Sequence, residues 1–562
     1  MAALMRYLLI RAYIRAFGKM SDRHFIIRDP LLLHREGVRR SRREEAWEAN
    51  IVVARTMADF LKSSFGPRGF NKLVIDKFGE IAVTKDGAKI LDMMDVYHPT
   101  AKLLKEAAKT VEASVGDGVK TTILLIGELV KRAEGLMRHH IQVNSILRGY
   151  RRAYEIALRK LNDLSRSLNY RDSSLLREIV RGMLISRGVE FAINHLTRLI
   201  VEAVYLVLEQ REGKLYLDRR LIQVVKKPGG SLFESELISG VVVNRRVAHR
   251  AMPRRVENAK VAVLDLALKI DPFKHLQPIK EEIVIRDAEL IGEFLAEEDK
   301  IVKEMVDKII NIGANAVFCR KKIGDVAGYM LARRGIIAAG RLLKDEQIDA
   351  VVRATGAKRV ADLDDLKPED LGRAKLIEER KIGNDRVIVI EGGENAKIVT
   401  ILLRGGSPKL LDEVERAIND VIACLASLAE KPVYIPGGGA AEVAMAIAIR
   451  NESLKYPSKE QVAMHAFANS LENLVRVLAR NSGLNPVDIL TELRARHVRG
   501  RHEYGIDSFS RRIVDTYEAK IIEPLIVKEQ ALKTCIEVAS SILRIDDIID
   551  ARYAKKHRGE LP

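Results

Sequence analysis

Hydrophobic and polar positions along this chain follow two periods, and the places where one gives way to the other outline its elements. From Arg43 the run REEAWEANIVVARTMADFLKSSF sets Ile51, Val52, Ala54, Met57, Ala58 and Leu61 on one broad face, the three- and four-residue spacing of an amphipathic helix. Gly66-Pro67 ends it. Two short apolar strands follow, 72–75 and 80–84, joined through Gly79 and closing on Lys85-Asp86-Gly87. That pattern predicts a hairpin with a polar tip, and it leaves Asp86 at a strand-to-helix junction because AKILDMM comes next. The stretch TVEASVGDGVKTTILL (110–125) predicts a Gly-Asp-Gly turn that feeds a buried helix. Residues 148–208 read as helix-rich and charged, with a break at 169–173, and 224–230 as a strand ending in a KKPGG turn at a domain boundary.

Beyond that boundary, 240–265 alternates apolar stretches and turns, as strands of a new domain do. Ile291, Phe294, Leu295, Ile301, Val302, Met305, Ile309 and Ile310 recur at helical spacing over 288–312, a stripe that means core packing in its C-terminal half. Residues 311–319, 335–340 and 386–392 read as short buried strands alternating with helices 326–334 and 345–355, an α/β layer. DEVERAINDVIACLA (412–426) is helical by its periodicity and carries Asp420. There is no repeat of solenoid length.

Composition narrows the class. At 562 residues and roughly 150 per domain, three or four domains are expected, and 47% apolar with 31% charged residues is the balance of a globular protein, neither disordered nor membrane-embedded. Cys319, Cys424 and Cys535 are far apart, odd in number and set in apolar context, so they read as reduced core thiols of a cytoplasmic protein, without a zinc or disulfide framework. The net charge of +18 raises nucleic acid as a partner. Much of it is local: residues 1–43 hold eleven Lys/Arg against three Asp/Glu, with few interleaved aromatics to stack on bases. Residues 2–17 carry Arg6, Arg11 and Arg15 inside an apolar run, too interrupted to span a bilayer and without a signal peptide's order. Two readings are open there, a basic amphipathic helix or a start at Met20.

The candidate chemistry begins at Asp117. Glycines on either side permit a tight turn, so that amides at the following helix start can face an anion. A carboxylate at that point repels bare phosphate, and its presence makes sense with a divalent cation between it and phosphate oxygens. A plain Asp-Gly turn before an ordinary helix is the other reading of the tripeptide. A second glycine-rich loop, 437–439, lies over three hundred residues downstream, and the two must meet in space to share a ligand. The GxxxxGK[ST] signature is absent, which excludes a P-loop ATPase.

Several blocks then stand in one order: KSSFGPRGFNKLV (62–74), TKDGAKIL (84–91), HPTAKLLKEAAKT (98–110), VGDG (115–118), MPRRVENAKVAVLD (252–265), LIEERKIG (376–383), LLRGGSPKLLDEVERAINDVI (402–422), PGGGAAEVAMAIA (436–448), NSGLNPVDIL (481–490) and VKEQALKTCIEVASSILRIDDII (527–549). In order and spacing the chain resembles the group II chaperonins, the thermosome and its eukaryotic cytosolic relatives, with residues 1–27 left outside as a basic extension. The resemblance implies a multidomain α+β and α/β fold: a mainly helical equatorial domain (28–168 and 434–562), a small intermediate domain (169–240 and 397–433) and an α/β apical domain (241–396). The apical domain would carry a helical protrusion over 273–294, a built-in lid with Ile279, Ile283, Val284 and Leu290 available to clients. The implied function is an ATP-dependent chaperone subunit that encloses non-native proteins in a cytoplasmic double ring with like or related subunits, with neither membrane nor nucleic acid as partner.

Site residues carried over from that resemblance follow its motifs. Asp117 would hold Mg²⁺ between phosphate oxygens, while Asp86 and Asp420 would orient the attacking water. Gly66 and Pro67 would meet the phosphates through backbone, with Gly87, Gly116, Gly118, Lys120, Thr121 and Thr122 completing the phosphate side and K⁺ as a further ion. Gly437, Gly438 and Gly439 would admit ribose and base, and Asp507 would hydrogen-bond the sugar. Without the resemblance, Asp420 is a solvated helical carboxylate and the glycine triplet a helix-start turn. This chain departs from the family pattern at Val119 and Lys120, where threonines are usual, and at Val111, Lys89, Arg187, Asn485 and Arg511. Arg187 stands where a nucleotide-sensing lysine is expected. Lys120 either substitutes electrostatically for the lost hydroxyls or points away. A slowly hydrolysing or inactive subunit of a mixed ring is the rival reading, and RNA binding through the basic extension a third.

Overall fold

Strand Arg255–Leu264 shows how this sequence builds its sheet: its second half, Val261 to Leu264, is buried on both faces and so shows no alternation. Val261 and Val263 pack with Ile348, Val351 and Ala354 of helix Asp345–Thr355. Ala262 and Leu264 face the other way, onto Val302, Val306 and Ile309 of helix Ala288–Asn311 and Ala327 and Leu331 of helix Asp325–Arg333. The sheet runs in the order Ile337–Ala339, Ala316–Cys319, Arg255–Leu264, Gly372–Ile382, Asp385–Gly392, Gly240–Val243. It is parallel on the first side of Arg255–Leu264 and antiparallel on the other. The expected α/β layer is therefore mixed: the strand read at 386–392 is one arm of a hairpin with Gly372–Ile382, which the hydrophobic pattern does not announce.

These coordinates come from a computed structural model that describes residues 39–41, 43–170, 172–185, 187, 189–269, 288–342, 344–383, 385–393 and 397–550. The basic extension and the proposed lid positions Ile279, Ile283 and Val284 fall outside those residues, as does the side chain of Leu290. The chain divides into two units. One, 1–49 with 545–562, contains the antiparallel ribbon Arg39–Ser41 with Ile548–Asp550. The other, 50–544, contains everything described below.

Helices dominate the start and end of this larger unit. Val119–Arg138 buries Ile123, Leu125, Ile126, Leu129 and Val130 against helices Lys459–Asn481 and Leu525–Leu543. Glu472, fully buried on Lys459–Asn481, is paired with both Arg450 and Arg494. The hairpin Lys72–Ile75 with Ile81–Thr84 forms as expected, and it exposes Leu73, Ile75, Ile81 and Val83. Helix Ala288–Asn311 buries Val302, Val306 and Ile309, while Ile301 is exposed on its other side. All three cysteines are free and buried. No helix among the described residues is long and apolar enough to cross a membrane.

Where the chain passes outward and returns, Ile222–Pro228 lies parallel to Val399–Gly405, which also pairs with Glu236–Ile238. The returning strand leads through Gly406 and Ser407 into helix Pro408–Glu430, capped by the Ser407 hydroxyl on the Leu410 amide. This helix carries Asp420. The next strand, Val433–Pro436, pairs with Ile522–Pro524 and Arg166–Ser167 and delivers the loop 437–439.

Candidate functional site

The Gly-Asp-Gly turn ends helix Pro99–Val115 and starts Val119–Arg138. Gly116 and Gly118 both have left-handed backbone, φ +67° and +89°. A Cβ at Gly116 would stand 2.1 Å from the Asp420 carbonyl oxygen, so helix Pro408–Glu430 lies on the turn with no room for a side chain between them. At the second loop, a Cβ on Gly438 would meet the Ile506 carbonyl oxygen at 2.5 Å. The Ile506 amide donates to the Gly438 carbonyl at 2.8 Å, which ties the loop to strand Tyr504–Asp507. The two glycine-rich loops thus reach one cleft, as sharing a ligand requires.

That cleft measures about 550 Å³ and is lined by Gly66, Pro67, Asp117, Gly118, Lys120, Thr121, Gly438, Gly439 and Asp507. Other sequence-selected residues sit elsewhere. Thr122 is fully buried and its hydroxyl donates to the Gly118 carbonyl one helical turn back, so its side chain faces the core. Gly437 is behind the lining, its amide donating to the Ile521 carbonyl. Gly87 packs where a Cβ would meet the Lys120 side chain at 2.8 Å.

Asp86, Asp117 and Asp420 converge on one cation, Arg187. Its guanidinium contacts Asp420 directly, reaches Asp86 at 3.4 Å and Asp117 at 3.6 Å, and donates to the Gly116 carbonyl at 2.8 Å. Its Nε is buried without a hydrogen-bond partner among the described residues. Asp86 also caps helix Gly87–Met93 by accepting from the Lys89 amide at 2.7 Å. A fourth carboxylate, Glu112, joins them: Asp86, Glu112 and Asp420 each place an oxygen within 4.8 Å of the others.

Burial and crowding set the charges here. Burial pushes the Asp420 carboxyl up to about 7 against the pull of Arg187, and Asp86, Glu112 and Asp117 push the same way. Glu112 is raised by burial and by Asp86. Burial works against the charge on Arg187, yet Asp420, Asp117 and Asp86 more than offset it and hold the guanidinium above its ordinary value. Lys120 donates to the Ser64 carbonyl at 3.1 Å and is brought down to about 8 by burial, with Asp117 and Asp86 opposing. Lys120 is among the residues of the cleft wall.

At another part of the cleft, buried Lys528 bridges Glu442 at 2.5 Å and Glu523 at 2.9 Å. Glu442 and Lys528 fall inside the blocks 436–448 and 527–549, but those motifs assign no role to them, to Glu523 or to Glu112. A helical face around 108–115 with Glu112 and Val115 turned inward would have been the one signal for Glu112. As for a metal, Asp117 offers a hard oxygen donor on the cleft wall, its side chain 39% exposed. One such carboxylate with phosphate oxygens and water is a donor set that suits Mg²⁺.

Comparison with known proteins gives the family of the chain. Residues 57–553 match the model of the TCP-1/cpn60 chaperonin family. The chain is 42% identical over 530 residues to thermosome subunit alpha of Archaeoglobus fulgidus, covering 94% of this chain and 96% of that protein. It is 41% identical over 530 residues to thermosome subunit beta of the same organism, with the same coverage. To the thermosome subunit of Methanopyrus kandleri it is 42% identical over 526 residues, 94% of this chain and 96% of the relative.

Proposed function

The chain belongs to the TCP-1/cpn60 chaperonin family as a group II chaperonin subunit acting in ATP-dependent protein folding, and from that premise we propose that it hydrolyses Mg²⁺-ATP in the 550 Å³ cleft and couples turnover to movement of helix Pro408–Glu430. The observation that carries this reading is the convergence of Asp86, Asp117 and Asp420, from three distant stretches, on the single guanidinium of Arg187 beside the cleft.

Phosphoryl transfer to water asks for positioning and neutralisation of charge more than for covalent help. The amides at the start of helix Val119–Arg138, the Gly66-Pro67 backbone and the Lys120 ammonium receive the phosphates. Asp117 holds Mg²⁺, which when bound neutralises charge on the phosphate oxygens. Asp420, its carboxyl pushed up to about 7, takes the proton of the attacking water in its ionised form, and Asp86 fixes that water's orientation. Gly438, Gly439 and Asp507 receive ribose and base at the other side.

Asp420 rides on a helix continuous with strand Val399–Gly405, so the domain containing that strand and its partner Ile222–Pro228 moves with it. Hydrolysis is then linked to closure of the outer parts of a three-domain subunit divided as the sequence blocks suggest. The subunit assembles with related copies into a ring that receives non-native proteins. The apolar hairpin face of Leu73, Ile75, Ile81 and Val83 supports assembly, since such a face needs cover from a neighbour. The test is phosphate release by the purified assembly, with Asp420→Ala beside wild type. Equal rates in the two would overturn the assignment.

A further inference from the structure

A second cavity, about 660 Å³, lies between the hairpin 72–84 and helix Pro408–Glu430. It adjoins the first cleft at two side chains: Arg187 lines this cavity and its guanidinium stands 3.6 Å from Asp117 on the cleft wall, and Lys85 of this cavity donates at 3.3 Å to the carbonyl of Ile185, which lines the cleft. The partition between the two spaces is therefore Arg187 with Asp86 and Asp420.

Among the described residues, six cations and four carboxylates line this cavity, a net charge of +2 on the wall. Lys226 is shared by Asp412 at 2.5 Å and Glu415 at 2.6 Å, and Arg416 holds Glu413 at 2.8 Å. Arg187 is matched by aspartates that are not on this wall. Lys85, also on the wall, donates to the Ile185 carbonyl at 3.3 Å, and two further lysines lie outside the ion pairs just named. Lys89, on helix Gly87–Met93, and Lys409, at the start of helix Pro408–Glu430, form no salt bridge among the described residues. Leu410, in the first turn of that second helix, is also on the wall, so the positive end of the helix lies at this cavity. The single remaining acid, Glu80, is exposed.

We propose that this cavity is a transient site for inorganic phosphate, and that product phosphate leaves the cleft through it, past Arg187. The proposal rests on the ATPase reading above. In-line attack puts the water opposite the departing ADP. The new phosphate therefore forms against the Asp86–Asp420–Arg187 partition, with ADP between it and the rest of the cleft. A small anion that leaves before ADP has to pass the partition, and the chamber behind it presents unneutralised ammonium groups to receive that anion.

The experiment follows a single turnover of the assembled full-length protein, with quenched flow for bond cleavage and a fluorescent sensor for free phosphate. The variants are Lys409→Glu and Lys89→Gln. Cleavage is expected to match wild type in both. Phosphate release slows about threefold in Lys409→Glu, the size of a screened surface charge, and about tenfold in Lys89→Gln, where the cation is half-buried. Inhibition of turnover by added inorganic phosphate weakens in the same proportion. Release that keeps wild-type timing in both variants, with unchanged phosphate inhibition, overturns the exit route while leaving hydrolysis intact. Absence of any cleavage in wild type is a different result and removes the ATPase reading along with it.

Discussion

Gly116→Ala puts the contact between the Gly-Asp-Gly turn and helix Pro408–Glu430 to a direct test. Gly116 has φ +67°, and an added Cβ would stand 2.1 Å from the Asp420 carbonyl oxygen and 3.0 Å from the Ala423 Cβ. Carbon and carbonyl oxygen approach to about 3.3 Å, so with 2.1 Å available the helix or the turn must retreat by roughly 1.2 Å. The left-handed backbone costs an alanine about 1–2 kcal/mol, and overpacking adds about 1–3 kcal/mol. The atom displaced belongs to Asp420 itself, and a shift of about 1 Å at a reacting group lowers turnover roughly 10²-fold. Gly79→Ala is the control: φ there is +83° but nothing lies within 4 Å of the added carbon. Denaturant unfolding and steady-state phosphate release are measured on both variants. Gly79→Ala should lose about 1–2 kcal/mol and keep its turnover, whereas Gly116→Ala loses more stability and most of its activity. Turnover within twofold of wild type in Gly116→Ala would refute the idea that close seating of this helix places the catalytic carboxylate.

Three further outcomes follow from the charges of the site. With its carboxyl near 7 and active when ionised, Asp420 gives turnover at saturating ATP that climbs from pH 6 to pH 8; Asp420→Asn lowers it by about 10²–10⁴ and removes that limb. Arg187→Met takes away the cation that favours ionised Asp420, so the same limb moves to higher pH, and the unpaired carboxylates cost about 3–5 kcal/mol in denaturant unfolding. Lys120 loses its proton near pH 8, so KM for ATP rises above that pH as the ammonium facing the phosphates is neutralised, and Lys120→Thr abolishes the rise.

What the sequence reveals and what it hides have separate physical origins. Local rules were enough for the hairpin 72–84, for the capping position of Asp86 and for helix Pro408–Glu430, because apolar spacing, glycine turns and cap residues all act within a few neighbours. The meeting of the two glycine loops was legible because each alone makes an incomplete phosphate or base contact. Arg187 was noticed only as a departure from a family pattern. Its part as the hub of three aspartates depends on side chains 70 to 233 positions away, which no local pattern records. Glu112 is hidden for a similar reason: in sequence it is one acid on a helix, and the fold alone brings it to Asp86 and Asp420. Thr122 shows the converse. The motif suggests a hydroxyl for phosphate, but a helix starting at Val119 turns that position inward. Strand Gly372–Ile382 has its apolar positions broken up by charged residues, including the run Glu378 to Lys381, so a search for short apolar runs passes over it.

The three buried thiols make a set of internal clocks. Cys319 belongs to the central sheet, Cys424 lies one helical turn beyond Asp420, and Cys535 donates to the Thr122 carbonyl at 3.2 Å in the helical layer. Burial raises all three far above the range in which a thiolate forms, so alkylation waits until the surrounding segment opens. Peptide mapping of alkylated protein over time would then time-stamp the loosening of sheet, moving helix and base separately, and nucleotide should slow the mark at Cys424 before it slows the other two.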